Sequence, residues 1–336
     1  MLSLRVPPSL LSLTPPTTCT TPGKCFLRGP RTVGDFCALT FPQHRDADFI
    51  VYDDERYTYG ELEAAIAALG HAMTEEFGLV KGDRVAVSMR NYPEWAIAFI
   101  AAMRIGCIAV PLNSLWKEKE MAFGLANSGA RLLVCDPDRL DRAMPCLSGL
   151  DCQAIVAKTR AGKGTAGTAG TAGTAGTVGK KAAGVSVHLF EDVLARHTGA
   201  ALPEVAVNHD DFATIMYTSG TTGKPKGVVQ THRGICNQMM MGLLARDMKA
   251  ISERAKGGSK DGLKDRFPPC IVAPVPLFHV TGSHHILLAS LVEGRKLVLM
   301  SKWDAGKALE IIEKERVTMW TGVPTMVSTR SSIELA

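Results

Sequence analysis

The sequence predicts an α/β protein with a largely parallel sheet that is covered by helices on both sides. Short apolar runs such as Arg84–Met89 and Phe212–Tyr217 have the length of buried strands, and amphipathic helical segments alternate with them along the chain. With 336 residues, of which 46% are hydrophobic and 21% charged, the chain is long enough for two domains or one large one. A chain of this size buries a core without needing disulfides or metals.

The N-terminal segment 1–31 is predicted to be a leader or a disordered extension outside the fold. It is rich in Ser, Thr and Pro and contains no acidic residue, as in transit peptides and in unstructured extensions. A transit peptide would direct the protein to a mitochondrion or a plastid. Otherwise we expect an intracellular protein of the cytoplasm or the peroxisome. We assign residues 32–336 to one domain.

Helix and strand signals alternate from Tyr57 onwards. Thr58 and Glu61 have the spacing of a capping box, and an apolar helical face follows them up to Gly78. Pro93 lies in the first turn of a second predicted helix, which ends before Gly106. The first apolar face consists of Leu62, Ile66, Leu69, Met73 and Phe77, and the next predicted elements are a strand at 108–111, a helix near 117–127 and strands at 131–135 and 154–157.

The second half repeats this alternation, with two interruptions. One is a low-complexity insertion at 158–184 that contains Gly-Thr-Ala triplets, and the other is a charged segment at 249–268 that we predict to be an exposed loop. Gly162–Gly167 matches the dinucleotide pattern G-x-G-x-x-G, but it runs into the triplets instead of opening a helix, so we exclude a nucleotide site there. The predicted strands are 212–217, 271–275, 296–300 and 318–320, and the predicted helices are 231–246, 282–292 and 305–315.

The net charge of +5 does not indicate a nucleic-acid partner. The segments 1–34 and 160–181 each contain four basic and no acidic residues, and 249–266 contains six basic and three acidic residues. Together these segments carry +11, which leaves −6 for the rest of the chain. Since the basic excess lies outside the predicted elements and 160–181 contains no aromatic residue, nucleic-acid binding is disfavoured.

Cysteine and histidine patterns do not predict a metal site. The nine cysteines contain no C-x-x-C pair, so we expect buried, reduced thiols. The pair His284-His285 has no acidic or cysteine partner at metal spacing, and we predict that both histidines lie on a helix surface. No apolar run is long enough to span a membrane.

The segment Tyr217–Val228 (Tyr-Thr-Ser-Gly-Thr-Thr-Gly-Lys-Pro-Lys-Gly-Val) predicts a phosphate-binding loop. It follows a predicted buried strand, where parallel sheets place their ligand loops, and leads towards a helix. Its glycines allow close approach of the backbone, its hydroxyls and N–H groups suit an anion, and Lys224 and Lys226 add positive charge. It is not a Walker A loop, because Pro225 stands where that motif requires glycine.

This segment resembles the phosphate-binding signature of adenylate-forming enzymes, a superfamily that includes acyl-CoA synthetases, aryl-CoA ligases, luciferases and peptide-synthetase adenylation domains. The resemblance implies the layered parallel-sheet N-terminal domain of the acyl-CoA synthetase type. It extends from about residue 32 to the end, apart from the two interruptions. Further segments that are similar to landmarks of the family are Tyr57–Leu62, Lys81–Val87, Asn91–Trp95, Gly106–Asn113, Pro276–Gly282 and Gly322–Met326.

The resemblance implies a two-step reaction with ATP, Mg²⁺ and coenzyme A. A small-molecule carboxylic acid would attack the α-phosphate of ATP to give an acyl-adenylate and pyrophosphate, and a thiol would then displace AMP. The loop would hold the β- and γ-phosphates, and Thr218 is the first candidate to reach the metal. The residues that the resemblance places at the nucleotide are Thr218, Ser219, Gly220, Thr221, Thr222, Gly223, Lys224 and Lys226.

The Pro-Leu-Phe-His motif implies an acid-binding segment at His279, Val280, Thr281 and Gly282. His279 would lie beside the acyl and adenylate sites, and the alternative is a packed histidine beside Phe278. An amino-acid-activating domain would need an Asp just after this motif to pair with the amine, and 280–292 contains none. The segment is most similar to fatty acyl-CoA ligases, and aryl acids stay open.

The catalytic residues of the family lie in later motifs that these 336 residues do not contain. The missing segments are Tyr-Gly-x-Thr-Glu, Thr-Gly-Asp and the small C-terminal domain with its catalytic lysine. We therefore expect a truncated N-terminal domain that cannot complete adenylation by itself. The alternative is a non-catalytic nucleotide- or acyl-binding protein derived from the same family.

Overall fold

The computed structural model describes residues 28–158, 185–218, 225–255 and 267–322, together with the short pieces 13–14, 25–26 and residue 326. The strands are, in chain order, β1 (Leu13–Thr14), β2 (Cys25–Phe26), β3 (Asp48–Tyr52), β4 (Glu55–Thr58), β5 (Arg84–Ser88), β6 (Ile108–Pro111), β7 (Ala130–Cys135), β8 (Gln153–Val156), β9 (Val187–Leu189), β10 (Phe212–Thr218), β11 (Lys226–Thr231), β12 (Cys270–Ala273), β13 (Lys296–Leu299) and β14 (Met319–Trp320).

The helices of the described residues are, in chain order, α1 (Val33–Gln43), α2 (Tyr59–Glu75), α3 (Pro93–Arg104), α4 (Glu118–Ser128), α5 (Pro137–Leu147), α6 (Phe190–Arg196), α7 (His232–Ala255), α8 (Thr281–Leu288), α9 (Ala289–Glu293) and α10 (Ala305–Lys314). Helix α8 has π-helical hydrogen bonding and continues directly into α9. None of the described helices is long and apolar enough to cross a membrane.

Two sheets organise the chain. The first has seven strands in the order β11-β10-β6-β5-β7-β8-β9, and all neighbours are parallel except the antiparallel pair β10 and β11. The second has five strands in the order β14-β12-β13-β3-β4, with one antiparallel pair, β3 and β4. The predicted α/β class with largely parallel sheets is therefore confirmed. Twelve strands are divided between these two sheets, and β1 and β2 form a separate antiparallel pair.

The core has five layers, because each sheet buries both faces. Alternate residues of β5 point to opposite sides: Val85 and Val87 join the central core, whereas Ala86 joins an outer cluster with α4 and α5. The central core also contains residues of α1, α2, α3, α7, α8 and α9 and the inner face of the second sheet. The other face of the second sheet packs against α10.

The predicted capping box of α2 is present in the structure. The Thr58 hydroxyl accepts a hydrogen bond from the Glu61 N–H at 3.1 Å, and the Glu61 carboxylate accepts one from the Thr58 N–H at 2.8 Å. The predicted apolar face of the helix is buried, with Leu62, Ile66, Leu69 and Met73 fully inaccessible. Thr58 thus fixes where the helix begins relative to the core that it covers.

Two sequence predictions for the second half of the chain were wrong: the extent of the charged loop, and the element that follows the phosphate signature. Residues 249–255 of the predicted charged loop belong to α7, because the sequence places no Gly or Pro there and Lys249 and Glu253 pair one turn apart at 3.9 Å. The signature segment leads into strand β11 before the next helix begins. Residues 159–184 of the predicted insertion, which include the G-x-G-x-x-G match at Gly162–Gly167, lie outside the described residues, as do residues 256–266.

The end of the leader segment contacts the fold at α7. The Phe26 N–H donates to the Asn237 side-chain oxygen at 3.1 Å, and Phe26 packs against the central core. Most of 1–27 lies outside the described residues, so its assignment as a leader stays a prediction.

We predict that Thr58→Ala lowers the free energy of unfolding by about 1 kcal/mol, because the first turn of α2 loses its side-chain acceptor. Thr74→Ala is the matched control, since the Thr74 hydroxyl donates to Gly70 and His71 carbonyls that lie within the same helix. Urea unfolding of both variants measures the difference. Equal midpoints for the two variants would contradict the capping role.

Candidate nucleotide and acid site

The phosphate signature lies on a β-hairpin. Strand β10 ends at Thr218, strand β11 begins at Lys226, and these two residues are directly paired in the antiparallel ladder. The sequence predicted that the segment leads towards a helix, and the structure instead returns the chain along β10 as an edge strand. The loop residues Ser219, Gly220, Thr221, Thr222, Gly223 and Lys224 lie outside the described residues.

The two described ends of the signature present polar groups to solvent. Thr218 and Lys226 are both exposed. The Thr218 hydroxyl makes one long hydrogen bond, 3.5 Å, to the Lys226 carbonyl. The Lys226 ammonium and the Thr218 hydroxyl are therefore accessible to a ligand at the mouth of the hairpin.

The hairpin is fixed to the first sheet by Tyr217 and Gly227. The Tyr217 hydroxyl donates to the Asn127 side-chain oxygen at 2.7 Å, and its ring packs edge-on against Trp116 at 5.5 Å. A Cβ atom at Gly227 would lie 2.8 Å from a methyl group of Ile215, so only glycine lets β11 approach β10 this closely. The glycine that follows Lys226 thus has a structural reason.

The hairpin lies at the carboxyl edge of a parallel sheet. Strand β10 runs parallel to β6, which runs parallel to β5, so Thr218, Pro111 and Ser88 end their strands at the same edge. Ligands of open parallel sheets bind outside this edge. The sequence prediction that the loop follows a buried strand is confirmed for β10.

The predicted acid-binding segment forms the turn between β12 and α8. His279 and Val280 are exposed, Thr281 is half-buried and Gly282 is buried. The His279 ring lies 4.5 Å from the Phe278 ring, and partial burial lowers the pKa of His279. The imidazole therefore contacts Phe278 and still faces solvent at the start of α8.

An asparagine that the sequence reasoning did not single out anchors this turn. Asn91 lies between β5 and α3 and is 5% exposed. Its side-chain amide donates to the Ala273 and Val275 carbonyls at 3.3 and 3.0 Å, and its oxygen accepts from the Leu277 N–H at 2.8 Å. Asn91 thus joins the carboxyl edges of the two sheets.

Gly282 closes the turn from the other side. A Cβ atom there would lie 2.2 Å from the Pro276 carbonyl oxygen, a distance that no side chain tolerates. The Ser283 N–H and hydroxyl both bond to the His279 carbonyl, at 2.9 and 3.0 Å. Packing therefore requires glycine at position 282. The predicted contact of Gly282 with the acid stays a prediction.

The pair His284-His285 divides between the interior and the surface. His285 is exposed, as predicted, but the prediction for His284 was wrong: it is 1% exposed and packs beside Phe99. Burial lowers the pKa of His284 to about 4, and its Nε2 atom has no hydrogen-bond partner. Adjacent residues of a helix point in different directions, and here His284 faces the core while His285 faces solvent.

A small cavity lies beside these histidines, between α7 and α8. It has a volume of about 50 Å³ and is lined by His284, His285, Gln238, Leu243 and other residues of α7 and α9. The Gln238 and His285 side chains are hydrogen-bonded at 3.0 Å. The cavity thus combines apolar walls with four polar side chains, those of Gln238, His284, His285 and Glu293.

A buried ion cluster lies where β8 leads into the insertion. The Lys158 ammonium is 3.0 Å from a carboxylate oxygen of Glu94 and 2.5 Å from one of Glu55. Burial raises the pKa of Glu94 to about 7, although Lys158 opposes this shift. The cluster joins the β3–β4 turn, the first turn of α3 and the end of β8.

The described residues hold no ready-made metal centre. They contain no cluster of three or more His, Cys, Asp or Glu side chains that could enclose a metal. The described cysteines that form free thiols are buried, as predicted, except the half-buried Cys146; they are Cys37, Cys107, Cys135, Cys146, Cys152, Cys236 and Cys270.

The profile of the AMP-binding enzyme family matches residues 39–330. The chain belongs to this family. The match includes both described ends of the signature hairpin, the turn at His279 and the insertion. It confirms the resemblance that the sequence motifs indicated.

Relatives in the AMP-binding family are CoA ligases that act on different acids. 4-Coumarate–CoA ligase 5 of Oryza sativa subsp. japonica is 29% identical over 81% of this chain and 43% of its own length. Long-chain-fatty-acid–CoA ligase FadD13 of Mycobacterium tuberculosis is 28% identical over 82% of this chain and 46% of its own length. This chain therefore spans less than half the length of either relative.

The fold is that of N-terminal domains of the same family. The inhibitor-bound N-terminal domain of FACL13 from Mycobacterium tuberculosis matches with a TM-score of 0.64 and 26% identity, over 89% of this chain and 64% of that one. A benzoate CoA ligase from Burkholderia xenovorans has the same fold, with a TM-score of 0.66 and 20% identity, over 89% of this chain and 51% of that one.

We predict that Gly282→Ala lowers the free energy of unfolding by about 1–3 kcal/mol, because the new methyl group must displace the Pro276 carbonyl and the turn at His279. Gly242→Ala, in α7, is the matched control. A Cβ atom there meets nothing within 4 Å, so alanine should stabilise the helix by about 0.5–1 kcal/mol. Thermal and urea unfolding check both values, and a stabilised Gly282→Ala would exclude the close contact.

Proposed function

We propose that the chain provides the nucleotide- and acid-binding part of an AMP-forming acid–thiol ligase. In the reaction a carboxylate attacks the α-phosphate of ATP and releases pyrophosphate. The thiol of coenzyme A then displaces AMP and forms a thioester. The observation that carries the proposal is the family match over residues 39–330, which includes a phosphate signature at the carboxyl edge of a parallel sheet.

The hairpin is proposed to bind the β- and γ-phosphates. Lys226 is exposed at the start of β11, and Lys224 lies two residues earlier in the sequence. Two lysines in one signature segment would offset the charge of a triphosphate, and a charge-assisted hydrogen bond is about twice as strong as a neutral one. The hydroxyls of 218–222 and the loop N–H groups would complete the anion site.

Mg²⁺ fits this arrangement as an ion carried by the nucleotide. Thr218 offers an exposed hydroxyl with one long hydrogen bond, and the described residues contain no carboxylate cluster that would hold the ion alone. Mg²⁺ takes oxygen ligands and usually keeps several waters beside substrate phosphates. Thr218 would supply a protein ligand, and the ion would offset the charge of departing pyrophosphate.

A fatty acid is the acid that we propose. The segment 280–292 contains no Asp to pair with a substrate amine, which argues against amino acids. Similarity to the long-chain-fatty-acid ligase FadD13 over 82% of the chain supports a fatty acid. The acid would lie beside His279, at the start of α8.

An aryl acid is the second candidate, favoured by the similarity to 4-coumarate–CoA ligase 5 over 81% of the chain. Competition between palmitoyl- and coumaroyl-sulfamoyl adenosine for the purified chain separates the two acids.

We predict that Lys226→Gln weakens ATP binding by about tenfold and AMP binding by less than about threefold, because the lost charge-assisted bond is proposed to contact the β- or γ-phosphate. Lys249→Gln removes an exposed lysine of α7 and is the matched control. Calorimetric titration with both nucleotides, at two salt concentrations, measures the effect. An equal loss of affinity for ATP and AMP would show that Lys226 does not contact the β- or γ-phosphate.

We predict that a polypeptide of these 336 residues alone shows no carboxylate-dependent ATP–pyrophosphate exchange. It contains neither the Tyr-Gly-x-Thr-Glu nor the Thr-Gly-Asp segment that completes the family's site. The same polypeptide should bind ATP, which serves as the control for a folded protein. The prediction would be refuted if adding a carboxylic acid raised the exchange rate above the rate measured without acid.

A further inference from the structure

The segment that leads to the turn at His279 cannot form the regular hydrogen bonds of a sheet strand. Strand β12 ends at Ala273, and the chain continues Pro274-Val-Pro276-Leu277. Two prolines remove two N–H donors from this stretch, so an ordinary neighbouring strand could not pair with it. The Ala273 carbonyl accepts one long backbone hydrogen bond, 3.4 Å from the Met300 N–H. The Val275 carbonyl and the Leu277 N–H need other partners, because buried backbone groups are costly to leave unpaired.

The Asn91 side chain provides the hydrogen bonds that a neighbouring strand would otherwise make. A primary amide carries one acceptor and two donors, the same groups that a neighbouring peptide chain presents. Asn91 directs its NH₂ group to the Ala273 and Val275 carbonyls and its oxygen to the Leu277 N–H. One side chain thus pairs with three alternate residues of the proline segment, and the Val275 carbonyl and Leu277 N–H bonds are no longer than 3.0 Å.

Asn91 is itself held rigidly. It directly precedes Tyr92, the N-cap of α3, and every residue from Pro93 to Met103 is buried between the two sheets. On its other side the Arg90 N–H donates to the Asp136 carboxylate at 3.3 Å, and the Arg90 guanidinium donates to the Ser301 carbonyl at 3.3 Å. The Asn91 backbone therefore cannot follow the proline segment if that segment moves.

We propose that Asn91 is a positioning residue that sets the location of the acid-binding turn at His279. The proposal rests on the proposed function, since it assigns the turn to the acid. Asn91 holds the turn through the backbone at 273–277, and Gly282 and Ser283 hold it from α8. His279 lies between these two anchors, so losing the first anchor releases its imidazole from the site.

Two variants of Asn91 test the proposal. Asn91→Ala removes all three hydrogen bonds. Asn91→Asp keeps the volume and the acceptor for Leu277 and removes both donors, so it serves where the alanine variant does not fold. Asn237→Ala is the matched control, because Asn237 accepts one backbone hydrogen bond, from Phe26, and does not contact the proline segment.

The first measurement follows the turn itself and needs no ligand. Amide hydrogen exchange of the full chain should be faster by about tenfold or more at Leu277 in Asn91→Ala, which loses the acceptor, faster by a smaller factor in Asn91→Asp, which keeps it, and unchanged there in Asn237→Ala. Unchanged exchange at Leu277 in both Asn91 variants would overturn the anchoring role.

The second measurement follows binding of an acyl-sulfamoyl adenosine, which mimics the acyl-adenylate, and of ATP. Both Asn91 variants should bind the analogue about tenfold more weakly and ATP within about threefold of the unmodified chain. In a His279→Ala background, Asn91→Ala should have little further effect, because both changes disable the same turn. Additive losses in the double variant would show that Asn91 affects binding independently of His279 and would overturn the positioning role.

The outcomes separate this proposal from the proposed function. If the unmodified chain binds neither ATP nor the analogue, the proposed function fails, and the role of Asn91 in acid binding fails with it. If the unmodified chain binds both and the folded Asn91 variants bind the analogue equally well, the positioning role fails and the proposed function stands.

Discussion

Burial of helix α3 on all sides is the constraint on which the rest of the structure depends. Residues Pro93–Met103 contain no exposed position, so apolar surfaces must cover the helix in every direction. Helices α1 and α2 and the inner faces of both sheets supply these surfaces within one core. Because two sheets share this helix, their separation and relative position follow from it. The loop before α3 is thereby held next to the ends of strands from both sheets.

The site depends on where α3 begins. Its preceding residue pair, Asn91 and Tyr92, lies at the carboxyl edge of β5, and the same edge ends with the signature hairpin two strands away. Asn91 reaches across to the carboxyl edge of β12, where the turn at His279 begins. The proposed nucleotide site on one sheet and the proposed acid site on the other are thus connected by one buried helix terminus. Glu94, in the first turn of this helix, is the buried carboxylate that pairs with Lys158.

Sequence patterns predicted the elements that carry their own local signal. The capping box at Thr58, Pro93 at the start of α3 and the apolar strands needed no knowledge of their partners. Strand β11 was missed because most of Lys226–Thr231 is exposed and shows no alternation of apolar and polar residues. Helix α5 was missed although Asp136 and Pro137 have the residue types of a helix start. The Asn91 contact joins residues 186 positions apart, and no local pattern contains such a pairing.

Several residues in the motifs that identify this family are required by the packing and hydrogen bonding of the backbone. Gly282 is fixed by the Pro276 carbonyl, Gly227 by the side chain of Ile215, and Asn91 by three backbone groups of a proline segment. None of these residues needs to touch a ligand with its side chain to be required. A tight turn can hold His279 at the start of α8 only if every residue around it satisfies both packing and hydrogen bonding. It follows that the location of the imidazole is set by residues of two sheets, and we expect substitutions far along the chain from His279 to alter the proposed acid site as directly as substitutions beside it.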